Sequence, residues 1–263
     1  MPYIESADLR TRYELSPGAG PVVLFSNSLG TDLSMWDAQA ASLGSDFRIL
    51  RYDTRGHGQS TATPGEYSME QLGRDVLSLL DALNIDRVHF CGLSMGGVVG
   101  MWLGIHAPGR IHRLVLSNTA ARIGSAEMWN ARIATVHKDG MKPVAAAVLE
   151  RWFTPGFRAS APGVVAQTRA MFETTPPAGY AACCAAVRDA DLRADVRRIA
   201  SPTLVIYGAA DPVTSAADAQ FLAQQIPGAS TLALEAAHLS NVEQAATFTG
   251  VVRRFLSTGG DQS

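Results

Sequence analysis

The chain has 263 residues, 47% hydrophobic and 17% charged, and a net charge of −2 from 22 Lys and Arg against 24 Asp and Glu. That length suits one large α/β domain, or one domain with an insertion, and the composition excludes a disordered chain, which needs low hydrophobicity and high charge. With no basic excess to neutralise phosphates, nucleic-acid binding is not expected.

Residues 1–8 have no basic flank and no apolar stretch, so no signal peptide is expected. Val22, Val23, Leu24 and Phe25 make residues 21–26 a buried strand, and 47–52 reads as another. Across 68–83, Met69, Leu72, Val76, Leu79, Leu80 and Leu83 fall on one helical face, and Ser68 and Gln71 have the spacing of a capping box. A strand at 88–91, a helix at 95–106 and a strand at 111–117 follow. Such alternation implies βαβ units and a mostly parallel sheet. From 119 to 198 the rhythm changes: alanine dominates, and Pro155, Pro162, Pro176 and Pro177 punctuate helical pieces. This segment reads as a helical insertion, a lid, between the two parts of a core at 1–118 and 199–263. The alternation resumes with a strand at 203–207, a helix at 216–226, a strand at 230–234 and a helix at 241–256, with Ser240 and Glu243 spaced as its capping box. The small, polar tail at 257–263 is expected to fray. Cys91, Cys183 and Cys184 are no disulfide framework, which fits a reducing cytoplasm.

Gly92-Leu93-Ser94-Met95-Gly96-Gly97 fits the G-x-S-x-G nucleophile elbow, with a strand before it and a helix after it. The serine of such an elbow sits in a strained turn, where side chains two positions to either side would strike neighbouring backbone. Residues 88–109 also hold no Asp, Glu, Lys or Arg, and carry glycine at 92, 96, 100 and 104. That imitates a membrane span, but the elbow, and a helix lying close on a sheet, account for the glycines without a membrane. A hydrolase triad built on this elbow runs Ser…Asp/Glu…His along the chain. Asp211 follows the strand at 203–207, and His238 follows the strand at 230–234, so Ser94, Asp211 and His238 converge on one rim of the sheet. Asn118 stands after the strand at 111–117, another place for the acid, but an amide cannot serve there. Asp53, in Asp53-Thr54-Arg55-Gly56-His57-Gly58-Gln59-Ser60, reads as part of a structural loop whose Asp and His tie down backbone groups. His89, His106, His112 and His137 lack paired ligand spacing, so neither metal nor cofactor is expected, and Cys91 reads as a small buried hydrophobe. The chemistry also needs two backbone N–H groups for the oxyanion. Met95, after the serine, supplies one, and Leu29 of Asn27-Ser28-Leu29-Gly30 supplies the other.

With these residues in view, the chain resembles the α/β-hydrolase superfamily over nearly its full length. Asn27-Ser28-Leu29-Gly30, Arg51-Tyr52-Asp53-Thr54-Arg55-Gly56-His57-Gly58, Phe90-Cys91-Gly92-Leu93-Ser94-Met95-Gly96-Gly97 and Arg151-Trp152-Phe153-Thr154-Pro155 resemble the 3-oxoadipate enol-lactone hydrolase family. Many superfamily members have His-Gly where Asn27-Ser28 stand, a departure that a backbone donor tolerates. The resemblance implies an α/β-hydrolase fold, a mostly parallel sheet flanked by helices, and opening of a small carboxylated lactone by an acyl-enzyme route in aromatic breakdown. Residues 120–188 hold eight basic and four acidic side chains, a net +4, which favours an anionic substrate. Trp129 and Arg132 share a helix face, and Trp129, Arg132, Arg151 and Trp152 are the candidate substrate contacts. A general carboxylesterase or perhydrolase, or a non-catalytic ligand-binding relative, are the alternatives. The oligomeric state is not legible in the sequence.

Overall fold

The computed structural model describes residues 2–6 and 8–258. Met1 and Ala7 of the N-terminal octet, and residues 259–263 of the tail, lie outside the described residues. The described strands are β1 (Tyr3–Ser6), β2 (Leu9–Leu15), β3 (Val22–Ser26), β4 (Arg48–Tyr52), β5 (Val88–Leu93), β6 (Ile111–Ser117), β7 (Thr203–Gly208) and β8 (Ser230–Leu234). They form one sheet in the order β1-β2-β4-β3-β5-β6-β7-β8. From β4 to β8 every pairing is parallel, as the β–α alternation predicts, and β1 and β2 add an antiparallel hairpin on the β4 edge. Every residue of β3 and β5 is buried. Continuous apolar runs are what strands covered on both faces require.

The helices are α1 (Asp37–Leu43), α2 (Met69–Ala82), α3 (Met95–His106), α4 (Ala126–Asp139), α5 (Lys142–Trp152), α6 (Pro155–Ser160), α7 (Pro162–Thr174), α8 (Pro177–Asp189), α9 (Ala216–Gln225), α10 (Ser240–Glu243) and α11 (Ala245–Ser257). α1 packs on α11, α2 on α3, and α9 on β7 and β8, while α4 lies against α8 and α5. Five helices, α4 to α8, therefore fall between β6 and β7, and four of them begin with proline in the first turn. Proline is suited to that position, where its missing N–H is not needed.

The structure corrects the expectation for the C-terminal helix. The span 241–256 is two helices, broken at Gln244, whose φ of −120° and ψ of 44° are not helical. Ser240 and Glu243 form no capping box: the Ser240 hydroxyl donates to Asn118 Oδ1 at 2.5 Å, and Glu243 accepts from Thr154 and Ala237. Distant partners outbid the local cap. At α2 only the Ser68 half of the expected box forms, its hydroxyl accepting from Gln71 N at 3.1 Å. The residues read as a membrane-like stretch divide into β5, α3 and a short turn. Among the described residues no helix is long and apolar enough to cross a membrane.

Candidate active site

Ser94 is the hinge between β5 and α3, with φ of 56° and ψ of −115°. A β-carbon at Gly92 would strike the Gly96 carbonyl, and one at Gly96 the Ser26 carbonyl. Glycine at both positions is therefore what lets the turn close. Ser94 N donates to Ser117 O at 2.9 Å, and Thr119 Oγ1 donates to Ser94 O at 2.8 Å, so the end of β6 holds the strained residue by both its N–H and its carbonyl. Ser94 Oγ itself has no hydrogen-bond partner among the described residues.

Asp211 and His238 extend from the loops after β7 and β8, and His238 Nδ1–H donates to Asp211 Oδ2 at 2.8 Å. Their side chains are buried. The same Oδ2 accepts Asn118 Nδ2 at 3.0 Å and Thr214 Oγ1 at 2.8 Å, and Oδ1 accepts Val213 N at 2.8 Å and Thr214 N at 3.2 Å. Burial alone would raise the carboxyl pKa, but His238, Asn118 and the Val213 N–H outweigh it and hold it at about 2. Asn118, at the end of β6 with φ of 43°, also donates to Ala237 O at 3.1 Å. The amide at the alternative acid position thus supports the carboxylate next to it.

Residues 27–30 run past this rim. Asn27 is fully buried, donating to Tyr52 O at 2.8 Å and accepting from Trp36 Nε1 at 3.1 Å. Gly30 N donates to His57 Nε2 at 2.9 Å. Burial lowers the His57 pKa to about 4, so the ring is a neutral acceptor at neutral pH. Asp53 accepts Leu33 N at 2.9 Å and Gln59 N at 2.8 Å. The loop 53–60 is therefore a template for segment 27–33. The N–H groups of Ser28, Gly30, Ser94 and Gly96 are all engaged. Those of Leu29 and Met95, between them, have no partner among the described residues.

Ser94, Leu29 and Met95 line a cavity of about 230 Å³, which is also lined from the helices after β6 by Trp129, Arg132, Arg151, Trp152 and Tyr180. Trp129 donates Nε1–H to Ile123 O at 2.7 Å, and the Arg132 guanidinium lies 5.0 Å from its ring centroid. Trp152 packs edge-on against Phe172 at 5.5 Å. Arg132 and Arg151 are half-buried and have no ion-pair partner among the described residues. Burial, and then the charge of Arg132, push the Arg151 pKa down. Three other cations of the same segment are ion-paired: Arg122 with Asp191, Arg169 with Glu173, and Arg188 with Glu66 and Asp189. Of the segment's cations, Arg132 and Arg151 are the two that line the cavity. Among the described residues no cluster of His, Cys, Asp and Glu has the make-up of a metal site. Asp53 and His57 tie down backbone groups as the sequence reading of their loop expects, whereas Tyr180 and the reach of Glu243 to Thr154 escape it, because no spacing rule joins residues so far apart in the chain.

An elbow serine at the end of a central parallel strand, with an Asp–His pair on the adjoining loops, defines a class of fold and site. The chain belongs to the α/β-hydrolase family, whose model matches residues 21–245. It is similar to 3-oxoadipate enol-lactonase 2 of Acinetobacter baylyi, with 46% identity over 89% of this chain and 90% of that one. Among solved structures, the enol-lactonase from Burkholderia xenovorans superposes with a TM-score of 0.96 at 47% identity, covering 97% of this chain and 100% of that one. A hydrolase from Pseudomonas aeruginosa superposes at 0.95 with 49% identity, covering 98% of each chain.

Proposed function

We propose that this chain opens the enol-lactone of 3-oxoadipate by a serine acyl-enzyme mechanism, with Ser94, His238 and Asp211 as the catalytic triad. Ser94 Oγ adds to the lactone carbonyl carbon as His238 Nε2 takes its proton. Asp211 holds the imidazole in the required tautomer and stabilises its charged form. Leu29 and Met95 donate N–H groups to the oxyanion, which their lack of other partners supports. Collapse breaks the ring C–O bond, the enol oxygen takes the proton from His238, and the enol tautomerises to a ketone. Water, giving its proton to His238, then hydrolyses the acyl-enzyme and frees Ser94. The helices from α4 to α8 act as the lid, and the side arm of the substrate, a carboxylate, pairs with Arg132 and Arg151 while Trp129 and Trp152 border the ring. Three unpaired, buried cysteines fit the reducing cytoplasm in which such a reaction would run.

The observation that carries this reading is the cavity itself, lined by Ser94 and by Arg132 and Arg151, neither of which forms an ion pair among the described residues. Full-length similarity to two enol-lactonases supports the choice of lactone. The test is turnover of the purified protein on 3-oxoadipate enol-lactone, followed as acid release in a pH-stat, beside a neutral aryl ester. Rapid opening of the lactone, abolished in Ser94→Ala, is expected. Turnover of the ester with the lactone untouched would identify a general carboxylesterase instead.

A further inference from the structure

We propose that Glu243 is a positioning residue for His238, making the corner between α5 and α6 part of the catalytic frame. This rests on the reading of His238 as the general base.

Residues 235–239 belong to no helix or strand, so no ladder of local bonds holds the imidazole in place. Tertiary bonds do so instead. Ala237 N, just before His238, donates to Glu243 Oε2 at 3.0 Å. Leu239 N, just after it, donates to Trp152 O at 3.0 Å. Glu243 Oε2 also accepts Thr154 N at 3.2 Å, and its Oε1 accepts the Thr154 hydroxyl. Thr154 in turn caps α6 through Phe157 N at 3.2 Å. One carboxylate thus ties the peptide before the histidine to the α5–α6 corner, and the carbonyl of Trp152 ties the peptide after it to the same corner. Trp152 lines the cavity, so the wall that meets the substrate and the loop that carries the base are fastened to each other. Catalytic groups must be held to a fraction of an ångström, and Glu243 is placed to do this without touching the reacting atoms.

The test compares Glu243→Ala, Glu243→Gln and, as a control that releases the far end of the same loop, Gln244→Ala, whose side chain donates to Glu235 O in the parent. Glutamine keeps an acceptor for the two N–H groups and removes the charge. For Glu243→Ala we expect kcat about ten- to a hundredfold lower on both the lactone and a neutral ester, with KM changed by less than about twofold. Glu243→Gln should stay within about threefold of the parent, and Gln244→Ala should match it. Proton NMR gives a readout independent of turnover. The downfield Nδ1 proton of His238 should be sharp in the parent and in Glu243→Gln, and broadened by exchange with water in Glu243→Ala. If Glu243→Gln is as impaired as Glu243→Ala, the carboxylate acts by its charge and the positioning role is overturned. It is overturned equally if Glu243→Ala keeps parental kcat and a sharp proton. Should Glu243→Ala fail to fold, Glu243→Asp, which keeps the charge but draws the carboxylate back by one methylene from Ala237 N and Thr154 N, decides by the same two readouts. Undiminished turnover in Ser94→Ala would sink the serine mechanism alone, and the NMR comparison would still judge Glu243.

Discussion

Asp211, on the rim of the sheet, accepts five hydrogen bonds, while Arg132 and Arg151, across the cavity, have no ion-pair partner among the described residues. On the rim, Asn27, Asp53, His57 and Asn118 each satisfy backbone or side-chain groups of the next segment, and around them Ser94 Oγ and the N–H groups of Leu29 and Met95 are left open. The opposite wall is deliberately unfinished, with two like charges half-buried beside tryptophan rings. A satisfied buried network fixes one geometry, whereas an unpaired, partly desolvated cation destabilises the empty protein and favours any anion that enters. The rim is therefore where loss of a group should abolish chemistry, and the helical wall is where loss should change which substrate is accepted.

The largest effect belongs to the rim. Ser94→Ala removes the proposed nucleophile and no core volume, so kcat should fall by about 10⁴–10⁶, with an unchanged melting temperature. A folded variant keeping a tenth of the activity would falsify the assignment. Asp211→Asn should cost about 10⁴ in kcat by misorienting His238, and somewhat less if departure of the enol needs little acid help. Asp53→Asn, on the supporting loop, should instead lower the melting temperature with kcat little changed. Should the two variants exchange these effects, the acid has been misplaced.

Across the cavity the expected changes are smaller and selective. A charge-assisted hydrogen bond contributes roughly 1.5–3 kcal/mol. Arg132→Ala or Arg151→Ala should therefore lower kcat/KM on the anionic lactone by about tenfold or more, and on a neutral aryl ester by less than about threefold. Steady-state kinetics at low and high salt completes the test, because KM for the lactone alone should rise with ionic strength. Equal losses on both substrates would show that these arginines hold the helices together.

The smallest effect concerns stability. His57 titrates at about 4 when folded against an ordinary 6.5, so the unfolded chain binds the extra proton between those values. Its contribution is fully present above pH 6.5 and is lost as the pH falls towards 4, up to about 3 kcal/mol. His57→Gln keeps an acceptor for Gly30 N and removes the titration. Its melting temperature should fall less steeply with acidification over that window, and a parallel decline would mean that other groups set the slope.

What could be read from the chain depended on how local the cause was. Gly92, Ser94 and Gly96 were legible because the collisions that demand glycine lie within one turn. Asp211 and His238 were legible from chain order and strand ends. The edge hairpin of β1 and β2 and the helical segment from Leu33 to Leu43 carry no such signal, since short, mixed sequences show no clear period. The +4 of residues 120–188 suggested a basic face, but which arginines stay unpaired depends on carboxylates such as Glu66 and Asp191, outside that count. Ser240 and Glu243 matched a capping pattern, yet their partners are Asn118 and Thr154, 122 and 89 residues away. A local rule yields where a distant buried group offers a better bond.

The corner from Trp152 to Thr154 also sets the terms on which this enzyme could be re-engineered. Helix α8 is tied to the core away from the histidine loop, by Tyr67 N donating to Ala182 O at 3.2 Å and by Arg188 pairing with Glu66. The corner meets that loop through directed bonds to Ala237 by way of Glu243, and to Leu239 through its own carbonyl. A graft that brings a new pocket from another hydrolase should therefore keep Trp152, Phe153 and Thr154 of the parent and splice on either side of them. A splice within those three residues would deliver the intended pocket with a histidine out of place.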